Sequence, residues 1–253
     1  MKRVRIELHG PVARITFTHP PLNVFGFELM DECSEALTKI EAQPNVVAVA
    51  LSGEGRAFSA GVDVAVHTPD KIQTMFQKFH GLIMKLVKSP KITIAKVHGA
   101  CLGGGAELAM VCDMCFTTPE AKWGFPEITL GCYPPVACTA LAALVGQKLA
   151  ADLIFTGRTF SGEAAAAWGL ANATQPEDRL EAEIQSRLDH LVKLSPAALA
   201  HAKKAFYAWD SIHLDKGLAR AEKIYVEELM KTEDASEGVQ AWMEKRKPVW
   251  KGR

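Results

Sequence analysis

Two glutamates stand beside turns that the sequence predicts to be buried. Glu107 lies in Cys101-Leu102-Gly103-Gly104-Gly105-Ala106-Glu107-Leu108, three residues beyond the middle glycine. Glu127 lies in Trp123-Gly124-Phe125-Pro126-Glu127-Ile128-Thr129-Leu130-Gly131, flanked by proline and apolar residues, an odd setting for a solvated charge. Burial and mutual proximity would raise at least one of the two pKa values toward working pH, which is what a general acid/base pair needs. The glycines add a second chemical possibility. Ile92-Thr93-Ile94-Ala95-Lys96-Val97 reads as a buried strand and Ala106 onward as a helix, so the chain enters that helix through glycine. The first N–H groups of a helix are unpaired, and glycine lets backbone approach a ligand closely. Such a turn can aim amide donors at a developing negative charge. Neither the dinucleotide pattern G-x-G-x-x-G nor the P-loop pattern is present. The residues alone leave other readings open: glycines that serve packing, Glu107 as a first-turn residue complementing the helix dipole, and Glu127 as a capping carboxylate.

The surrounding pattern predicts the elements that hold these residues. Residues 3–8 and 12–18 alternate as strands, and a helix follows over 27–42. Val46 to Leu51 is continuously apolar, which suggests a strand covered on both faces. A loop of small residues spans 52–64, and a helix over 70–88 ends at Ser89-Pro90. Strands alternating with helices predict β-α-β crossovers and a largely parallel sheet. Ligands then sit at the carboxyl ends of the strands, where the loops 52–64 and 99–105 would face one site. From residue 136 the pattern turns helical, with candidates at 136–145, 147–155, 161–168, 179–194, 196–209, 214–231 and 235–246. The stripe Leu218, Ala221, Ile224, Tyr225 and Leu229 is wide enough to need a partner surface.

Bulk properties exclude several classes. With 29 basic and 29 acidic residues among 253, no net charge argues for nucleic acid or an anionic membrane. No apolar run reaches the roughly 20 residues of a spanning helix. The N-terminus enters a strand directly, without a signal peptide's apolar segment. Six cysteines in apolar surroundings suit free thiols in a reducing cytoplasm. Cys112-Asp113-Met114-Cys115 follows a predicted helix instead of opening one and has no second ligand pair, so structural thiols are expected and no metal site.

Three separated motifs carry a resemblance. Ala57-Phe58-Ser59-Ala60-Gly61-Val62-Asp63, His98-Gly99-Ala100 through Leu108, and Trp123 through Gly131 resemble, in order and spacing, the crotonase superfamily of enoyl-CoA hydratases and isomerases. The likeness runs nearly to the end of the chain. It implies an α/β fold built as a spiral of β-β-α units over 1–195, with a helical oligomerisation region over 196–253, in a homotrimer or a dimer of trimers. It implies that the N–H groups of Ala60 and Gly104 form an oxyanion hole for a thioester carbonyl, and that Glu107 and Glu127 handle water and the α-proton. Coenzyme A, part of the substrate, would lie along Ala60, Val62 and Val64, with Arg56 as a phosphate contact. Phe58, Gly61, Asp63, Gly103, Pro126 and Tyr133 complete the implied substrate contacts. No separate cofactor, nucleic acid or membrane partner is implied.

The sequence departs from the common hydratase pattern after Glu127. Where a typical member has a Gly-Gly-Thr-Gln/Arg-like stretch, this chain has Gly131-Cys132-Tyr133-Pro134-Pro135-Val136-Ala137-Cys138. Together with His67-Thr68-Pro69-Asp70, His80-Gly81-Leu82 and Tyr225 through Met230, it resembles the cyclohexa-1,5-diene-1-carbonyl-CoA hydratases of anaerobic aromatic degradation. That implies hydration of a cyclic dienoyl thioester, with Tyr133 and Val136 as an apolar wall. The alternatives are a general enoyl-CoA hydratase of fatty acid β-oxidation, an enoyl-CoA isomerase, and a non-catalytic crotonase-like binding protein.

Overall fold

The computed structural model describes residues 2–251, with side chains for all of these except 208–216. Strands β1 (Val4–His9) and β2 (Val12–Phe17) form a hairpin, and helix α1 (Phe27–Glu41) follows. Then the chain repeats one unit. A strand of the larger sheet is followed by a short strand of the smaller sheet and then by a helix. The first unit is β3 (Ala48–Gly53), β4 (Ala57–Ser59) and α2 (Ile72–Lys88). The second is β5 (Ile92–Val97), β6 (Ala100–Leu102) and α3 (Gly104–Met110). The third is β7 (Met114–Thr117), β8 (Lys122–Gly124), a short 3-10 turn over Pro126–Leu130 and α4 (Pro135–Val145). Helix α5 (Gln147–Thr156), β9 (Thr159–Ser161), α6 (Gly162–Ala167), β10 (Ala173–Thr174) and α7 (Glu177–Leu191) complete this part.

The larger sheet has the order β1-β2-β3-β5-β7-β10 and the smaller one β4-β6-β8-β9. Within them β2-β3-β5-β7-β10 and β4-β6-β8 run parallel. The parallel sheet expected from the sequence is therefore two sheets. The strands of the second are three residues long, too short to show a period, so β4 lies hidden in the small-residue loop 52–64 and β6 among the residues before the glycines.

Continuous apolarity in β3 and β5 has the cause the sequence suggested. Val49, Leu51, Ala95 and Val97 face the main core with α1 and α2, whereas Ala48, Ile92 and Ile94 pack with Leu180, Ile184 and Leu188 of α7. Both faces of the sheet are covered, so both sets of alternate residues are apolar. All six cysteines are free, and every one except Cys138 is buried. Between Cys112 and Cys115 the working residue is Asp113. Its carboxylate accepts from Thr93 N–H (2.6 Å) and pairs with the buried Lys203 ammonium (2.8 Å).

Helices α8 (Pro196–Phe206), α9 (Ala208–Glu227) and α10 (Glu233–Met243) follow. The apolar stripe of α9 is largely used inside the chain. Leu218 and Tyr225 are 3% and 1% exposed and belong to the main core with α2 and α4. Ile224, Trp242 and Trp250 remain open, at 40%, 50% and 47%. No described helix is long and apolar enough to cross a membrane.

Candidate active site

Strands β4, β6 and β8 are neighbours in the smaller sheet and run in the same direction, so their carboxyl ends lie side by side. Each ends at one of the segments singled out in the sequence. Ala60 to Val64 leave β4, Gly103 to Glu107 leave β6, and Pro126-Glu127 leave β8. That shared edge brings together residues spread from Ala60 to Glu127 in sequence and opens on a cavity of about 580 Å³.

Two backbone donors lie at this edge. Gly104 opens α3, where its N–H has no partner within the helix. Gly61 (φ +100°) brings the β4 segment so close that a Cβ there would lie 2.8 Å from Leu102 O and 3.4 Å from Gly104 N. The expected second donor, Ala60, is not available, because its N–H donates to Leu22 O at 2.8 Å. Val62 N–H, two residues on, has no partner among the described residues, and its side chain packs against Gly104. Buried Asn23 fixes this strand end: its Nδ2 donates to Glu54 O (2.9 Å) and Ala57 O (2.8 Å), and its Oδ1 accepts from His19 N–H (3.0 Å). Ser59 Oγ donates to Asn23 O (2.8 Å) and accepts from Gly61 N–H (3.0 Å).

The two carboxyl groups sit in unlike surroundings. Glu107 Oε1 accepts from the N–H groups of Val136 (2.9 Å) and Ala137 (3.0 Å), at the first turn of α4. Pro134-Pro135 thus starts a helix whose N-terminus holds Glu107. Val136, expected on the cavity wall, is fully buried and outside the lining. Burial pushes the Glu107 carboxyl up, opposed by the charge of His80 and by the two N–H donors. Burial, and secondly the charge of Glu107, hold Glu127 well above the usual carboxylate range. Its Oε2 is buried without a hydrogen-bond partner among the described residues. Its Oε1 occupies space that only glycine leaves free, since a Cβ at Gly103 (φ +52°) would approach it to 2.7 Å.

Of the residues expected at the site, Ala60, Gly61, Val62, Asp63, Val64, Gly103, Gly104, Glu107, Pro126, Glu127 and Tyr133 line this one cavity. Phe58 does not; it is fully buried, edge-on against Phe17. Arg56 is exposed and also outside the lining, where Arg3 and His19 stand instead, 3.0 Å apart. Sequence reasoning missed these two as site residues, and likewise His67, Phe76, Phe79, His80 and Tyr225. Most come from α2 and α9, where they read as ordinary members of a helix's apolar face. His80 carried a signal, being a histidine on that face. It now stacks on Phe76 and contacts Glu222 Oε1 through Nδ1 at 2.6 Å.

A family model for enoyl-CoA hydratase/isomerase matches residues 7–253. The chain belongs to the enoyl-CoA hydratase/isomerase family. It is 34% identical over 251 residues to a cyclohexa-1,5-dienecarbonyl-CoA hydratase of Thauera aromatica, covering 99% of this chain and 97% of the relative. A probable enoyl-CoA hydratase of Bacillus subtilis is also 34% identical, over 261 residues and the full length of both. Among solved structures, an enoyl-CoA hydratase/isomerase from Xanthobacter autotrophicus superposes with a TM-score of 0.88 at 29% identity, covering 96% of this chain and 93% of that one. The two-sheet spiral is thus the crotonase fold, and this family member is an enzyme of the enoyl-CoA hydratase type, a carbon–oxygen lyase.

Proposed function

We propose that the protein adds water across the α,β double bond of an acyl-CoA thioester, with the thioester oxygen held by the N–H groups of Val62 and Gly104. The observation that carries this reading is a pair of buried carboxyls in unlike environments beside two unpartnered amide donors. Environments that drive two pKa values apart assign the acid and the base. Glu107, hydrogen-bonded by α4 and facing the charge of His80, is the carboxylate that takes a proton from water. The oxygen bonds to the β-carbon, and the π electrons move onto the thioester oxygen, where the two N–H groups stabilise the enolate. Glu127 keeps its proton and delivers it to the α-carbon. A net proton passed from Glu107 to Glu127, through solvent, then resets the pair, and one water has been consumed whole. Coenzyme A, carried by the substrate, runs along Ala60 to Val64, with Arg3 and His19 at hand for its anionic end.

The acyl group we infer is a cyclic dienoyl ring. Phe76, Phe79, Tyr133 and Tyr225 line the cavity, and flat aromatic walls suit a flat ring. The Thauera aromatica relative named above supports the same choice, while the equally similar B. subtilis relative supports a general enoyl group. Comparing kcat/KM for cyclohexa-1,5-diene-1-carbonyl-CoA and crotonyl-CoA tests it. The ring should win by about 10-fold or more, the effect of one or two methylenes of fit. A preference for crotonyl-CoA would overturn the cyclic assignment. Exposed Phe155, Phe206, Ile224, Trp242 and Trp250 support assembly into trimers or pairs of trimers.

A further inference from the structure

One polar group in the cavity has no task in the mechanism above. Tyr225 of α9 is 1% exposed, and its ring is wedged edge-on between Phe76 (centroids 4.9 Å apart) and Tyr133 (5.0 Å). Those two contacts hold the ring in one place. Its hydroxyl is buried in the wall of the same cavity as Glu107 and Glu127, with no hydrogen-bond partner of good geometry among the described residues and only the Cys132 thiol, a weak acceptor, close by. The neighbouring Tyr133 differs, because its hydroxyl is spent on Ala221 O at 2.5 Å. A buried hydroxyl left unpaired is costly, and native proteins keep few of them. Among the described residues, the only other orphaned side-chain oxygen in this wall is Glu127 Oε2. Cys132 and Glu127, the groups whose charges reach the phenol most strongly, both belong to the 127–133 segment of the same wall. Burial also pushes the phenol up, so it stays protonated and able to donate.

We propose that the Tyr225 hydroxyl hydrogen-bonds the oxygen that enters the acyl group, first as the attacking water and then as the product hydroxyl. This rests on the hydratase reading. The phenol neither gains nor loses a proton. Water gives one proton to Glu107 and its oxygen to the β-carbon, Glu127 protonates the α-carbon, and Tyr225 contributes one hydrogen bond to the moving oxygen. That bond holds the attacking water in place, persists in the transition state and is kept with the hydroxyacyl product. The enoyl group itself does not make it, so its loss leaves enoyl affinity unchanged and leaves the water less often in place. Since the equilibrium constant of the reaction cannot change, a loss of the bond must appear differently in the two directions.

The test is Tyr225→Phe, which keeps the ring and its two aromatic contacts. It is assayed with crotonyl-CoA or cyclohexa-1,5-diene-1-carbonyl-CoA, whichever the wild type hydrates faster, and with the matching hydroxyacyl-CoA in dehydration. We expect hydration to lose about tenfold in kcat at unchanged KM, and dehydration to gain about tenfold in KM at nearly unchanged kcat, the scale of one hydrogen bond. Affinity for saturated butyryl-CoA, which carries no such oxygen, should not change. A variant that hydrates within about twofold of wild type would overturn the inference alone, that loss being at the floor for one hydrogen bond. So would an equal loss of affinity for butyryl-CoA and hydroxyacyl-CoA, because it would mark Tyr225 as packing only. A wild-type protein that hydrates neither thioester would overturn the hydratase reading and this inference with it.

Discussion

At the scale of single residues, the proposed mechanism depends on two carboxyl groups with unlike surroundings. Glu107→Gln and Glu127→Gln should each lose about 10²–10⁴ in kcat while still binding coenzyme A thioesters, as measured by steady-state kinetics and calorimetry. The pH dependence of kcat/KM should be bell-shaped. Activity falls on the acid side as Glu107 takes up a proton and on the alkaline side as Glu127, held well above the usual range, loses one. Both limbs report the coupled pair. The charge of His80 lowers the Glu107 pKa, so His80→Ala should move the acid limb to higher pH. Both glutamates of the candidate site could be singled out in the sequence, since a charge set among proline, glycine and apolar residues needs a reason. The second amide donor was not. Ala60 and Val62 lie two residues apart in the same motif, and only the hydrogen bond from Ala60 N–H to Leu22 O separates them. Replacing the amide of Val62 by an ester, which removes the N–H and keeps the side chain, should cost about 10²–10³ in kcat. The same change at Ala60 should lower stability and leave kcat near wild type.

At the scale of elements, three short parallel strands decide where the chemistry can happen. β4, β6 and β8 are each three residues long, yet their aligned carboxyl ends bring together the amides and carboxyls of the candidate site. Their brevity is why the sequence predicted a single sheet: the long strands and helices carry a period, while three residues carry none. What holds β4 in place was hidden for a different reason. Asn23 follows Pro20-Pro21-Leu22 and reads as a loop residue, but it is fully buried and joins three backbone groups. Asn23→Ala leaves those groups unpaired, so unfolding by urea should show a loss of about 1–3 kcal/mol or somewhat more. Helix α4 was legible as a helix from residue 136. Its use in holding Glu107 was not, because the contact joins positions 29 and 30 residues apart.

At the scale of the whole molecule, the apolar stripe of α9 illustrates how a correct pattern can have two uses. Leu218 and Tyr225 were expected to meet another subunit, yet they complete the core of their own chain, and Tyr225 reaches the cavity. Trp242 and Trp250 remain about half exposed, with Phe206 at 72%. Light scattering at micromolar concentration should therefore give an oligomer; a monomer would refute that part of the account. The central claim is that the molecule adds water across a double bond, and labelled solvent tests it most directly. With cyclohexa-1,5-diene-1-carbonyl-CoA or crotonyl-CoA in ¹⁸O-labelled water, mass spectrometry should find one solvent oxygen in the product as a hydroxyl group, absent when Glu107 is replaced by Gln. A product with its double bond shifted and no solvent oxygen would contradict the claim and leave isomerisation in its place.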